Sequence, residues 1–206
     1  MKVMILNLPS PPGMDVSRDY SGGYGNAHWG DRNDYGHSSE VLLPLFMPYL
    51  ATKIKREGYD LTILDAQAVR LSSADVIKEI KNKQPKFIIS MISLPSIYGD
   101  IRLLNRLKEN FPQTLLIVVG TATKFLAEEI LHKSEVDFLV DGQYPFYSNP
   151  IIRLIQAIEK KSIQSIKAIP GLIYKKEVKG NILIKHNPLQ GLQIAESLDD
   201  LDIRIY

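Results

Sequence analysis

The sequence predicts a doubly wound α/β domain built on a five-stranded parallel sheet, with strands in the order 2-1-3-4-5. Three observations predict it. Five short runs rich in Val, Ile, Leu and Phe recur along the chain: residues 2–8, 59–65, 86–92, 114–120 and 136–142. Helical patterns separate them. Three of the runs are almost unbroken in apolar character, as strands covered on both faces require. Alternating strands and helices joined by short links make right-handed crossovers and therefore a parallel sheet. The expected topology is flavodoxin-like, a Rossmann-like arrangement.

Each element carries its own signal. Residues 48–57 read as a helix that Gly58 ends, since glycine takes the left-handed conformation after a last turn without penalty. Residues 73–83 follow Ser72 or Ser73 as N-cap, and Pro85 stands beyond their end. Residues 100–110 place Ile101, Leu104 and Leu107 at helical spacing, and Pro112 stops them. Residues 123–133 carry Phe125, Leu126, Ile130 and Leu131 on one stripe. Ser148-Asn149-Pro150 opens the last long helix, with proline at its first helical position. Residues 171–178 and 182–186, joined through Lys179-Gly180-Asn181, read as a β-hairpin. The organisation expected is an α/β domain over residues 1–165 and a hairpin extension with a linker over 166–206.

The chain of 206 residues has a net charge of +2, too little to argue for nucleic acid or an anionic membrane as partner. It contains no cysteine, which excludes disulfides, thiolate zinc sites and an iron–sulfur cluster held by this chain. No apolar run reaches the roughly 18 residues of a membrane span, and a cytoplasmic location is expected.

In doubly wound sheets a ligand sits outside the carboxyl ends of the strands, where the strand order reverses. That edge should carry Pro9 after the first strand, Ser90-Met91-Ile92-Ser93-Leu94 after the third, Gly120-Thr121-Ala122-Thr123 after the fourth and Asp141-Gly142-Gln143-Tyr144 after the fifth. This set is rich in small, hydroxyl and amide groups and poor in acid–base pairs. It suits a large ligand held by shape and amide contacts better than catalysis by side chains. No catalytic residue and no metal ligand stands out. His28, Asp31, Asp34 and His37 read more simply as a solvated polar loop than as a metal site. Gly22-Gly23-Tyr24-Gly25 lacks the spacing of a dinucleotide fingerprint and follows its strand too late.

One link is long. Residues 9–40 contain six glycines together with Tyr20, Tyr24, Trp29 and Tyr35. So long a stretch without secondary structure of its own is expected to be mobile and to order over a ligand or a neighbouring domain.

At this level of detail the chain resembles the N-terminal cobalamin-binding domain of cobalamin-dependent radical S-adenosylmethionine enzymes, a group that includes the anaerobic magnesium-protoporphyrin monomethyl ester cyclases. The likeness is carried in order by LPLFMPYLATKIKREGYDLTILDA (43–66), PKFIISMISLPSIYGDIRLLNRLKENFP (85–112), LIVVGTATKFLAEEIL (116–131), VDFLVDGQYPF (136–146), IPGLIYKKEVKGNILIKHNP (169–188) and SLDDLD (197–202). Thr121 stands where the family usually has a second glycine, Thr123 where it has histidine, and Gln143 where it has glutamate. The Asp-x-His-x-x-Gly motif that supplies a histidine to cobalt in mutases and methionine synthase is absent.

The resemblance implies cobalamin (vitamin B12) as cofactor. Its nucleotide tail would lie in a slot lined by Ser90–Leu94 and Gly120–Thr123 and closed by Asp141–Tyr144, and the corrin would rest on the strand ends. It further implies a downstream radical domain of the same polypeptide, whose [4Fe–4S] cluster and S-adenosylmethionine are not bound by this chain, and a parent enzyme of the kind used in tetrapyrrole biosynthesis. Two other readings remain: a binding or interaction module of this fold that has lost cobalamin, and an unrelated small-molecule enzyme on the same scaffold.

Overall fold

A computed structural model describes residues 1–20, 23–29, 44–141, 148–178, 180–189 and 202–205, with backbone alone for His28, Trp29, Ser148 and Ile203. The parallel sheet contains β1 (Lys2–Asn7), β4 (Asp60–Asp65), β5 (Phe87–Met91), β6 (Leu115–Val119) and β7 (Phe138–Val140). Their spatial order is β4-β1-β5-β6-β7, which is the expected 2-1-3-4-5. The hairpin β8 (Leu172–Val178) and β9 (Asn181–His186) does not stand apart. β8 pairs antiparallel with β7 and extends the sheet to seven strands.

Alternation along β1 shows why the apolar runs are so dense. Met4 and Leu6 face a core completed by α2 (Ser73–Lys83), α3 (Ile97–Asn110) and α4 (Ala122–Lys133). Val3 and Ile5 face a second core completed by α1 (Phe46–Arg56) and α5 (Ser148–Glu159). A strand buried on both faces has no polar side to alternate with.

The helix starts are set by local chemistry. Ser72 caps α2 with a reciprocal capping box: its hydroxyl accepts the Asp75 N–H at 3.2 Å, and the Asp75 carboxylate accepts the Ser72 N–H at 3.1 Å. Helix α1 begins at Phe46, two residues before the expected Pro48, which its first turn tolerates because no intrahelical donor is needed there. Helix α3 begins at Ile97, before the expected Asp100, after a 3₁₀ turn at Leu94–Ser96. A short α6 (Ile163–Lys167), capped by Ser162, has no counterpart in the sequence reading.

The largest departure concerns residues 9–40. Their described part is not structureless. A two-stranded ribbon, β2 (Met14–Ser17) paired antiparallel with β3 (Asn26–Trp29), forms directly after β1. Residues 30–43, including Asp31, Asp34, Tyr35 and His37, lie outside the described residues.

A buried charge fastens this strap, beside the fully buried Val16 of β2. The Arg18 guanidinium is fully buried and donates from both of its edges. It donates to Asp100 Oδ1 at 2.7 Å and Oδ2 at 3.2 Å, to Leu8 O at 2.6 Å and to Pro9 O at 3.0 Å. Asp100 on α3 is buried as well and accepts the Ser96 hydroxyl at 2.6 Å. Desolvating such a pair is tolerable only when every donor and lone pair is met. The sequence gives no sign of it, because an arginine amid glycines and polar residues reads as solvated. Trypsin cleavage at Arg18, natural for a mobile loop, is not expected from a guanidinium so enclosed.

Replacing Arg18 by Met should therefore lower the unfolding free energy by about 3–5 kcal/mol, because the Asp100 carboxylate stays buried without its partner. Urea denaturation measures this. Combining Arg18→Met with Asp100→Leu should recover much of the loss. A single-variant loss below about 1 kcal/mol, the level of an exposed pair, would mean that the strap is not fastened here.

Candidate functional site

The carboxyl edge carries those of the expected residues that are described, from the ends of β1, β5, β6 and β7, and most of them are closed to solvent. Ser90, in register with Leu6 of β1, is buried and donates its hydroxyl to the Leu6 carbonyl at 3.0 Å. Met91 and Ile92 are buried, and the Ile92 N–H donates to Val119 O at 3.1 Å. The Ser93 hydroxyl bonds that of Ser96 at 2.9 Å. Leu94 alone of this group is exposed. Thr123 Oγ1 lies 2.7 Å from Gly120 O and 2.9 Å from Val140 O, and shares its proton between them. Thr121 and Ala122 are buried. Pro9 is half-buried, its carbonyl held by Arg18. The hydroxyls at this edge thus satisfy neighbouring carbonyls and one another.

The small residues have a structural cause. Gly120 adopts φ +120°, and a Cβ there would lie 2.6 Å from the Ile92 carbonyl oxygen. Gly23 and Gly25 of the strap rest on the same edge. A Cβ on Gly23 would come within 2.9 Å of Thr121 Oγ1, and one on Gly25 within 2.5 Å of Ser93 Cβ. Between them Tyr24 O accepts the Leu94 N–H at 3.0 Å, and the Tyr24 ring stacks on Phe125 at 6.3 Å between centroids and 18° between planes. The room left by small side chains in Ser93 and Gly120–Thr123 is filled by the chain's own residues 23–25.

On the β7 side, Asp141 is half-buried and donates its N–H to Gly171 O at 2.7 Å. Its Oδ1 has no hydrogen-bond partner among the described residues. Burial raises the Asp141 carboxyl above its usual range, against the opposing charges of Lys124 and His186. Gly142, Gln143 and Tyr144 lie outside the described residues. Among the described residues no three His, Cys, Asp or Glu side chains gather as a metal site.

The open space lies one strand over. Between the ends of β1 and β4 and the start of α1 is a cleft of about 310 Å³, lined by Asn7, Ser17, Asp19, Tyr20, Leu45 and Gln67 among others. Burial pushes the Asp19 carboxyl up from 3.8 to about 6, although the N–H groups of Phe46 and Leu45 favour its ionised form. Sequence reasoning missed Asn7, Asp19 and Gln67. The available signals were an amide at the end of an otherwise apolar strand and the Asp65-Ala66-Gln67 strand ending.

Comparison with known proteins follows from this geometry. No family profile matches the chain. It is 26% identical over 165 residues to an uncharacterized methyltransferase of Pyrococcus horikoshii, covering 79% of this chain and 33% of that one. It is 24% identical over 135 residues to the hopanoid C-3 methylase of Methylococcus capsulatus, covering 64% of this chain and 25% of the other. Among solved structures it is similar to the radical S-adenosylmethionine methyltransferase TsrM of Kitasatospora setae with cobalamin and a [4Fe–4S] cluster bound. The TM-score is 0.65 at 14% identity, over 94% of this chain and 30% of that one. It is also similar to apo OxsB, a cobalamin-dependent S-adenosylmethionine radical enzyme, with a TM-score of 0.64 at 15% identity over 93% of this chain and 22% of the other. At such identities the shared property is the fold. The chain spans a quarter to a third of the curated relatives it matches.

Two outcomes follow from the edge. Gly120→Ala should destabilise the ligand-free protein by about 1–3 kcal/mol, since the new Cβ meets the Ile92 carbonyl at a φ that L residues rarely adopt. Unchanged melting of the ligand-free variant would return Gly120 to a purely ligand-facing role. The folded chain binds the Asp19 proton more tightly than the unfolded chain. The group's contribution to stability is therefore full below about pH 3.8 and is lost as pH rises through about 6. Asp19→Asn should raise the unfolding free energy at pH 7.5 by roughly 2 kcal/mol, a gain that shrinks toward pH 4. Denaturation at the two pH values measures it, and a gain independent of pH would contradict this origin.

Proposed function

We propose that the chain is a cobalamin-binding domain of a radical S-adenosylmethionine enzyme. The observation that carries the reading is the 2-1-3-4-5 sheet whose carboxyl edge is built from glycines, small residues and amide groups, with no acid–base pair placed for catalysis among the described residues. Supporting it are the family-like segments in their order and the fold shared with enzymes whose structures are described with cobalamin or as cobalamin-dependent. The relatives are described as methyltransferases or a methylase, which favours methyl transfer as the reaction of the parent enzyme. A cyclase of tetrapyrrole biosynthesis is the narrower form of the same reading.

The residues fit the group in part. The Asn7–Gln67 cleft offers polar groups to the rim of a large amide-bearing ligand. Ser90–Leu94 and Gly120–Thr123 would line the slot for the nucleotide tail and Asp141–Tyr144 would close it, with Pro9 and its segment beside the corrin, but only if Gly23–Gly25 lift from Ser93 and Thr121. When bound, cobalamin would supply a methyl carrier or redox partner, and the chain would supply position. The [4Fe–4S] cluster and S-adenosylmethionine would be held by a radical domain of the same polypeptide, since this chain has no cysteine. The site of action would be the cytoplasm. None of the helices among the described residues is long and apolar enough to cross a membrane.

A second reading has one specific observation in its favour. The strap already fills the slot, as expected of a binding or interaction module of this fold that has given up cobalamin. The two readings separate on mixing with hydroxocobalamin. At 100 times the dissociation constant a single site should stabilise the fold by about 2.7 kcal/mol. The cofactor reading expects a raised melting temperature and an altered visible spectrum. An unmoved melt together with the spectrum of free cofactor would favour the second.

A further inference from the structure

Asn7 ends β1 at the centre of the ligand edge and is 3% exposed. Its amide has one allowed orientation. Gln67 donates its Nε2 to Val16 O and to Asp15 Oδ1, the latter at 3.3 Å, so its Oε1 faces Asn7. Asn7 Nδ2 donates to that Oε1 at 3.4 Å and to Asp65 Oδ1 at 2.8 Å. Turning the Asn7 amide over would set its oxygen against two acceptors. Asn7 Oδ1 is therefore an acceptor, and it is buried with no partner among the described residues. Buried acceptors of this kind are rare, because leaving the bond unmade incurs the whole cost of desolvating the group.

Asn7 lines the same cleft as Asp19. The Asp19 carboxylate accepts the Phe46 N–H at 3.0 Å through Oδ2 and is half-buried. Arg18 also borders the cleft, but its guanidinium is committed to Asp100, Leu8 O and Pro9 O. Asp65 Oδ1 is engaged by Asn7 and by the Ala68 N–H at 2.9 Å. The wall thus presents one buried acceptor, a half-buried carboxylate and a cation already taken. Among the described residues an anionic ligand finds no free cation to meet it there.

We infer that the cleft is a binding subsite for a nitrogen hydrogen-bond donor, a primary amide or ammonium group, received between Asn7 Oδ1 and the Asp19 carboxylate. One NH₂ group has the two protons that two acceptors require, and a donor at Asp19 offsets the desolvation of its charge. The volume admits a small amine or one arm of a larger molecule. The amide-bearing rim of a corrinoid is one source of such a group, in which case the inference rests on the cofactor reading above; a free amine is the other.

The test uses hydroxocobalamin and 1,4-diaminobutane as probes on the wild-type chain and on Asp19→Asn, which keeps the acceptor for Phe46 while removing the charge. Binding is read by titration calorimetry, and the Asn7 side-chain amide is followed by NMR. Movement of the Asn7 resonance with hydroxocobalamin, together with affinity at least tenfold weaker in Asp19→Asn, supports an amide arm as the source. Binding of the diamine that moves Asn7 and is lost in Asp19→Asn supports an ammonium source, and this holds even where hydroxocobalamin fails to bind and the cofactor reading falls. Equal hydroxocobalamin affinity in both proteins with an unmoved Asn7 resonance overturns the subsite while leaving the cofactor reading intact. Failure of both probes to bind the wild-type chain overturns both.

Discussion

The buried Arg18–Asp100 pair decides what this fold can offer at its carboxyl edge. The sheet positions strand ends, as in any doubly wound domain, but the pair fixes what lies over them. Arg18 binds the carbonyls of Leu8 and Pro9 on its own segment and the carboxylate of α3, so the chain leaving β1 turns back across the ends of β5 and β6. Gly23 and Gly25 then approach Thr121 and Ser93 more closely than any side chain would allow. A buried pair of this kind gives little net stability over an apolar substitute, and its effect is to define one arrangement. The arrangement is a strap seated on the ligand edge.

Two regions of that edge consequently differ in character. Around Ser90–Ser93 and Gly120–Thr123 the polar groups are internally satisfied, so the region has little to offer a ligand while the strap is down. Around Asn7, Asp19 and Gln67 the opposite holds: an acceptor is left over, and a carboxylate is held partly desolvated next to open space. Groups that detract from stability are characteristic of functional sites, because the fold must offset them elsewhere. The edge therefore combines a closed region poised over small residues with an open one that favours donors.

The sheet was legible because burial on both faces of β1, β5 and β6 makes their composition nearly unmistakable, and Ser72, Gly58 and Pro150 punctuate the helices by local chemistry. The position of the edge followed from strand order alone. The ribbon of β2 and β3 was not legible. Its placement is defined by one arginine meeting an aspartate 82 residues away, and neither periodicity nor turn residues encode such a partner. The reason for the small residues was misjudged for the same cause. Gly120 reads as room for a ligand until the Ile92 carbonyl is seen beneath it and the strap above its neighbours. Asn7 was passed over because one polar residue at a strand end is unremarkable; only the orientation forced by Gln67 and Asp65 makes its oxygen an orphan.

In the proposed function, the carboxyl edge receives a large ligand in place of its own strap. Amide hydrogen exchange at Leu94 tests this most directly, since that N–H is held by Tyr24 O of the strap. With hydroxocobalamin at saturation, the account predicts faster exchange at Leu94 as residues 23–25 lift, while Ile117 inside β6 stays protected. Unchanged exchange at Leu94 with the cofactor demonstrably bound would place the ligand elsewhere and contradict the account.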